Sequence, residues 1–201
     1  MKKPSVTLIM TGASGAQYGL RLLEELVKAD IAISLLLSRP AQIVINMETD
    51  LKLPSRASEI ETFFTKHYKA KFKQIKVYEK EQWMAPIASG SGVADVTVVC
   101  PCTTGTLSSI AVGSSKNLLE RAADVAIKER KKLILVVRET PLSDIHLENM
   151  LKLSRMDVVI MPANPGFYHQ PKTLDDIVDF MVARILDHIG ITHTLMPCWG
   201  E

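Results

Sequence analysis

Cysteine is scarce in this chain: three occur in 201 residues. Only Cys100 and Cys102 are neighbours, in "CPCTTGT", and a single intervening residue is shorter than the spacing that holds zinc in hairpin-type sites. The Cys-x-x-Cys redox arrangement is absent as well. The five histidines, at 67, 146, 169, 188 and 193, form no closely spaced pair suited to a metal. No metal is therefore expected, and three cysteines do not make a disulfide framework. Charge of one sign is also lacking. Twenty-four Lys and Arg stand against 22 Asp and Glu, a net of +2, which leaves no basic footprint for nucleic acid. No apolar run approaches the about 18 residues of a membrane span. The N-terminal run "SVTLIM" stops at a glycine turn, too soon for a signal peptide. A cytoplasmic protein with no membrane span and no nucleic-acid partner is expected. Neither the G-x-G-x-x-G fingerprint nor a Walker loop is present.

What the chain does have is alternation. Short β-branched runs lie at 5–10, 31–37, 75–78, 95–100, 132–137 and 157–162. Most are continuously apolar, as strands buried on both faces of a parallel sheet are. Between them, helical periodicity covers about 15–28, 40–48, 58–68, 105–128, 143–155 and 173–189. Ser143 and Thr173 stand where N-caps belong. This pattern predicts a three-layer α/β/α domain over 1–201, with a doubly wound parallel sheet. The longest irregular stretch is 79–94, "EKEQWMAPIASGSGVA". Long ordered loops are often functional.

In such folds ligands bind outside the carboxyl ends of the strands. "TGASGAQYG" follows the first strand and offers a glycine turn at a helix start, suited to an anion or simply to a tight turn. Ser38 follows the second strand, where it could bond a phosphate or cap the next helix. After the fourth strand, Thr103, Thr104, Gly105 and Thr106 begin a helix, and backbone N–H groups there suit phosphate or a polar ring. The two cysteines then read as small packing residues, with Cys102 lining a pocket. "RETP" places Arg138 and Glu139 after the fifth strand, where unpaired burial would be costly. "ANPGFYHQP" presents Tyr168, as a ligand contact or a packing aromatic. Glu48 ends a helix and reads as an exposed carboxylate or something more. Arg121 and Lys128 share one helix face, most simply a solvated one. Trp83 and Trp199, in irregular segments, read as surface packing or subunit contacts.

Taken together, "MTGASGAQYGLRLL", "WMAPIASGSG", "VCPCTTGTLSSIAVG", "NLLERAADVAIKERKKLILVVRETPLS", "IHLENMLKLS" and "PANPGFYHQP" resemble the UbiX-type flavin prenyltransferases over nearly the whole chain. The resemblance implies a homododecamer of flavodoxin-like or Rossmann-like subunits, with FMN at the sheet edge near subunit boundaries. It implies transfer of a dimethylallyl group from dimethylallyl phosphate to N5 and C6 of reduced FMN, without metal. The prenylated FMN would serve a UbiD-type decarboxylase, in ubiquinone biosynthesis or aromatic acid decarboxylation. By the same resemblance Gly12, Ala13, Ser14, Ser38, Cys102, Thr103, Thr104, Gly105 and Arg138 match flavin contacts. Ser89, Gly90, Arg121, Lys128, Arg138, Glu139, Tyr168 and Arg184 match the allyl-phosphate surroundings. Ser14 and Glu48 match proton-handling residues, and Trp199 an aromatic near the prenyl group. Apart from the resemblance, a glutamate beside a leaving phosphate can donate a proton to it, and Glu139 is assigned that role.

Two rivals are set against this. An FMN-dependent decarboxylase of the phosphopantothenoylcysteine type carries an Asn in the loop after the fourth strand and a catalytic His in the loop before it. Gly105 stands at the Asn position, and "WMAPIASGSG" holds no histidine. A non-catalytic flavin-binding protein is the other. For the chemistry itself, breaking an allylic carbon–oxygen bond leaves phosphate and a delocalised cation. Without a metal, fixed cations must meet that phosphate, and Arg121, Lys128, Arg138 and Arg184 can supply them.

Overall fold

The computed structural model describes residues 3–197. Six strands, β1 (Val6–Met10), β2 (Ile33–Leu37), β3 (Ile75–Tyr78), β4 (Val96–Cys102), β5 (Lys132–Val137) and β6 (Val159–Ile160), form one sheet in the order β3-β2-β1-β4-β5-β6. Every pairing is parallel. This order winds outward both ways from β1, so the chain reverses direction across the sheet between β1 and β4.

Among the described residues seven helices cover the sheet: α1 (Ala16–Lys28), α2 (Arg39–Glu48), α3 (Ala57–His67), α4 (Thr104–Ala111), α5 (Leu118–Lys128), α6 (Asp144–Ser154) and α7 (Leu174–Ile189). Side chains alternate across the strands, so each apolar run feeds two cores. Leu8, Leu35, Val98 and Ile134 pack with Leu23 and Phe64 and with Val182 and Leu186, under α1, α3 and α7. Ile9, Leu36, Val99 and Leu135 pack with Leu107, Leu118, Ala123 and Leu153, under α4, α5 and α6. The predicted three layers are present.

Local signals explain most boundaries. Ser143 and Thr173 cap α6 and α7, each within a capping box. Both carboxylates that begin "LDDIVDF" lie in the first turn of α7, where Asp176 accepts the Lys172 and Thr173 N–H groups. Gly19 has a packing reason. A Cβ there would meet the Cys100 carbonyl oxygen at 2.4 Å, so α1 rides directly on β4. Arg21 of α1 donates to Asp179 of α7 at 2.7 Å and also pairs with Glu24 and Glu25, joining the two helices.

One expectation needs correction. The helix predicted over 105–128 is two helices. Gly113 takes a left-handed φ of 69°, and Asn117 starts afresh as the N-cap of α5, accepting the Glu120 N–H. Strand β6 is also shorter than the run at 157–162: Val159 and Ile160 are in register with Ile134 and Leu135, and beyond them Met161 and Ala163 still bond to Leu135 and Val137. The long loop 79–94 holds two short 3-10 turns, Pro86–Ala88 and Gly90–Gly92.

Candidate functional site

The carboxyl ends of β1 and β4 are tied together by a residue the sequence reading passed over. Thr11, only 3% exposed, donates its hydroxyl to the Pro101 carbonyl at 2.8 Å and accepts the Thr103 N–H at 2.9 Å. A hydroxyl ending an otherwise apolar strand was the available signal. The Cys100–Pro101 peptide is cis. Both cysteines are fully buried, and burial pushes the Cys102 thiol up to about 12 and Cys100 higher still. They are protonated packing residues, and Cys102, expected to line a pocket, is instead fully enclosed.

Three helix starts converge on this edge, and the sequence determines each. Thr103 caps α4 by accepting the Thr106 N–H, which leaves Thr104 and Gly105 at the rim. A Cβ at Gly105 would find nothing nearer than the Thr103 hydroxyl at 3.9 Å, so the space over this turn is open. Ser38 caps α2 through the Ala41 N–H at 3.1 Å. Gly12 is packed under α2, since a Cβ there would collide with Pro40 at 2.3 Å. Ala13 is buried, whereas Ser14 is exposed at the turn.

The third start, α1, has no cap of its own at Gly15. Glu48 supplies it from the end of α2, accepting the Gly15 and Ala16 N–H groups at 2.9 Å each. Ser14 also bonds its carboxylate. Burial pushes the Glu48 carboxyl up, but these hydrogen bonds and the Arg138 charge outweigh it and hold the group below its ordinary value. Glu48 is thus an ionised, half-buried carboxylate, and the exposed-carboxylate reading is set aside.

Arg138 follows β5 at the same edge. Its Nε is buried and has no hydrogen-bond partner among the described residues. With Glu139, Thr140, Met150 and Asn164 it lines a cleft of about 210 Å³. Glu139 accepts the Thr140 N–H at 3.1 Å.

The remaining residues that the resemblance matches to the substrate surroundings fall into two other groups. Ser89, Gly90, Arg121 and Lys128 lie along α5. Arg121 Nε donates to the Ala88 carbonyl at 3.0 Å, and the Glu129 side chain, paired with Lys128, sits against Gly90. Tyr168 and Arg184 form the third group, lining a cavity of about 350 Å³ beside α7.

Lys128 and Arg138 do not meet within one chain. Lys128 ends α5 just before β5 begins, so it lies at the amino edge of the sheet. The far end of α7 is there too, because Lys132 donates to the His188 carbonyl. Arg138 stands at the opposite end of β5, about 16–20 Å along a six-residue strand. The cations differ in another respect. Arg121 pairs with Asp124, Lys128 with Glu129 and Arg184 with Asp187. Arg138 alone of the four has no ion pair among the described residues. Trp199 lies outside the described residues. No group of three or more His, Cys, Asp or Glu suited to a metal occurs among those described, and no helix among them is long and apolar enough to cross a membrane.

An FMN fits this edge on the chain's own features. Three helix N-termini face it, the turn at Gly105 leaves room, and a buried guanidinium nitrogen lacks a partner.

Comparison with known proteins agrees. The Flavoprotein family model matches residues 1–186. The flavin prenyltransferase UbiX of Pseudomonas aeruginosa is 55% identical over 196 residues, 98% of this chain and 94% of that protein. The crystal structure of AnUbiX in complex with FMN and dimethylallyl pyrophosphate is 35% identical, with 100% and 99% of the two chains covered and a TM-score of 0.87. A dodecameric FMN-dependent UbiX-like decarboxylase from Escherichia coli O157:H7 is 40% identical, with 98% and 100% covered and a TM-score of 0.84. A PPC decarboxylase, at 17% identity and a TM-score of 0.59, shares the fold alone. This chain belongs to the UbiX-type flavin prenyltransferases of the Flavoprotein family.

Proposed function

We propose that the chain, acting as one flavin-binding unit over 1–201, transfers a dimethylallyl group from dimethylallyl phosphate to reduced FMN. The observation that carries this is the Arg138 side chain at the carboxyl edge, whose Nε is buried and unsatisfied and whose charge acts on Glu48. A buried donor without a hydrogen-bond partner is costly, so such a group persists where a ligand supplies the partner. Reduced FMN, when bound, supplies the nucleophilic N5 and C6 atoms.

The chain's residues then divide the remaining work. Gly12, Ala13, Ser38, Thr103, Thr104 and Gly105 form the rim that holds and orients the flavin, with the enclosed Cys102 packed beneath it. Arg138 places a fixed positive charge where the phosphate dianion develops, a contribution of about 3 kcal/mol for one preorganised donor. Glu139, next to it, donates a proton to the leaving phosphate. Ser14 donates its hydroxyl to the Glu48 carboxylate, so a proton arriving at Ser14 passes to Glu48. That step needs the carboxylate ionised, which is the state its hydrogen bonds favour.

Arg121, Lys128 and Arg184 serve the same phosphate from other copies of the chain, together with Ser89, Gly90 and Tyr168. The place of Lys128, far from Arg138 in one chain, supports this, and so does the dodecamer formed by the E. coli relative. We take the active form to be a homododecamer in the cytoplasm, independent of metal, with Trp199 near the prenyl group and the product passed to a UbiD-type decarboxylase. The test is mass spectrometry of flavin after anaerobic incubation with reduced FMN and dimethylallyl phosphate in chelator. A gain of one prenyl group is expected. Unchanged flavin mass, with FMN bound, would make this a flavin-binding protein.

A further inference from the structure

The cavity beside α7 contains a hydrogen-bonded chain that ends on Arg184. The Arg184 guanidinium donates to Asp187 Oδ2 at 2.7 Å. The other oxygen of that carboxylate, Oδ1, lies 3.0 Å from His193 Nε2. His193 Nδ1 in turn accepts the Leu195 N–H at 3.4 Å. An imidazole nitrogen that accepts cannot carry a proton, so in the neutral ring the proton is on Nε2 and is donated to Asp187. The ring is well sheltered, with 10% of its side chain exposed, while Arg184 and Asp187 are about half exposed at 50% and 46%. The sheltered member therefore anchors the exposed ones. All three line the cavity with Tyr168, Phe180 and Met196.

An exposed arginine on a helix is ordinarily mobile, and fixing it costs side-chain entropy. The contact to Asp187, one turn along α7, is of the kind that contributes little alone. Adding His193 changes this, because the carboxylate is then held from its other side by a ring fixed to the backbone.

We propose that Asp187 and His193 are positioning residues that hold Arg184 pointed into this cavity, ready for the phosphate of the allylic substrate. The inference rests on the reading of Arg184 as a phosphate contact. It predicts a preorganised cation, so loss of the chain should appear in substrate affinity and not in the chemical step.

The test compares His193→Phe, His193→Gln and Asp187→Asn with Arg184→Ala in steady-state prenylation at saturating reduced FMN. Thermal midpoint and FMN affinity are measured alongside. His193→Phe keeps the volume and removes both hydrogen bonds, so KM for dimethylallyl phosphate should rise by about tenfold with kcat nearly unchanged. His193→Gln can donate and accept in the same places and should recover most of the loss. Asp187→Asn, at an exposed site, should reproduce the KM rise in a folded protein should His193→Phe prove unstable. If Arg184→Ala raises KM and neither His193→Phe nor Asp187→Asn does, the positioning role is wrong. If Arg184→Ala itself leaves KM unchanged in an active enzyme, the assignment of Arg184 falls and the inference falls with it. No prenylated flavin from the unmodified protein would instead overturn the proposed function.

Discussion

Arg138→Ala should lower prenylated-flavin formation by about 100- to 1,000-fold and leave the protein folded. The physical reason is the imbalance around this side chain. Its neighbours leave a guanidinium nitrogen buried and unbonded, so the group carries a desolvation cost in the ligand-free protein. Removing it relieves that cost and opens a small cavity, two effects of opposite sign. The thermal midpoint of the FMN-free variant should therefore stay close to that of the parent. A structural arginine would behave in the opposite way, with a large fall in midpoint and proportionate loss of activity. Arg138→Lys separates charge from shape. The ammonium keeps the charge but loses the planar fork, so intermediate activity is expected. Rates come from flavin mass measurements, midpoints from calorimetry.

Glu48→Gln is the second large effect, and it has a stability component with a definite sign. In catalysis the carboxylate takes up a proton through Ser14; the amide cannot. Turnover should fall by about 100- to 1,000-fold with FMN affinity kept, as for loss of a positioned acid–base group. In the fold, Glu48 caps α1 from another helix, and its charge suits a helix N-terminus. Losing it should cost about 1 kcal/mol at neutral pH. Because the native pKa lies below the ordinary 4.5, this stabilisation is full above that value and is lost as pH falls through the lower native one. The midpoints of the two proteins should differ at neutral pH and converge in acid. A constant difference across that range would mean that charge is not the cause.

The sheet was readable in the sequence because its strands are buried on both faces. Runs such as "TLIM" and "LILVV" have no polar face to confuse with a helix period. The caps at Ser143 and Thr173 were readable for a similar reason, since a cap is a contact between residues three apart. The break between α4 and α5 was not. Leucine and alanine keep a helical rhythm on both sides of "VGSSKN", and only Gly113 with its positive φ marks the end. Glu48 was singled out as a residue, but its contacts were invisible. Its partners, Gly15 and Ala16, are 33 and 32 positions away and reach it only because α1 and α2 start from adjacent strands. Thr11 was missed for the same reason, its partners at Pro101 and Thr103 being set by the pairing of β1 with β4. The separation of Arg138 from Lys128 follows from strand direction, which the sequence implies only once parallel pairing is known.

That separation leads to the most direct test of the central claim, that one site draws its charges from several copies of the chain. Arg138→Ala and Arg184→Ala assemblies are each dissociated, mixed in varying proportion, reassembled and assayed for prenylated flavin at dimethylallyl phosphate well below the KM of Arg184→Ala. Sites shared between copies would in some cases receive an intact Arg138 from one chain and an intact Arg184 from another. Activity well above that of either parent, greatest near equal proportions, is the predicted result. Mixed assemblies that form and bind FMN, yet stay as inactive as their parents at every ratio, would contradict it.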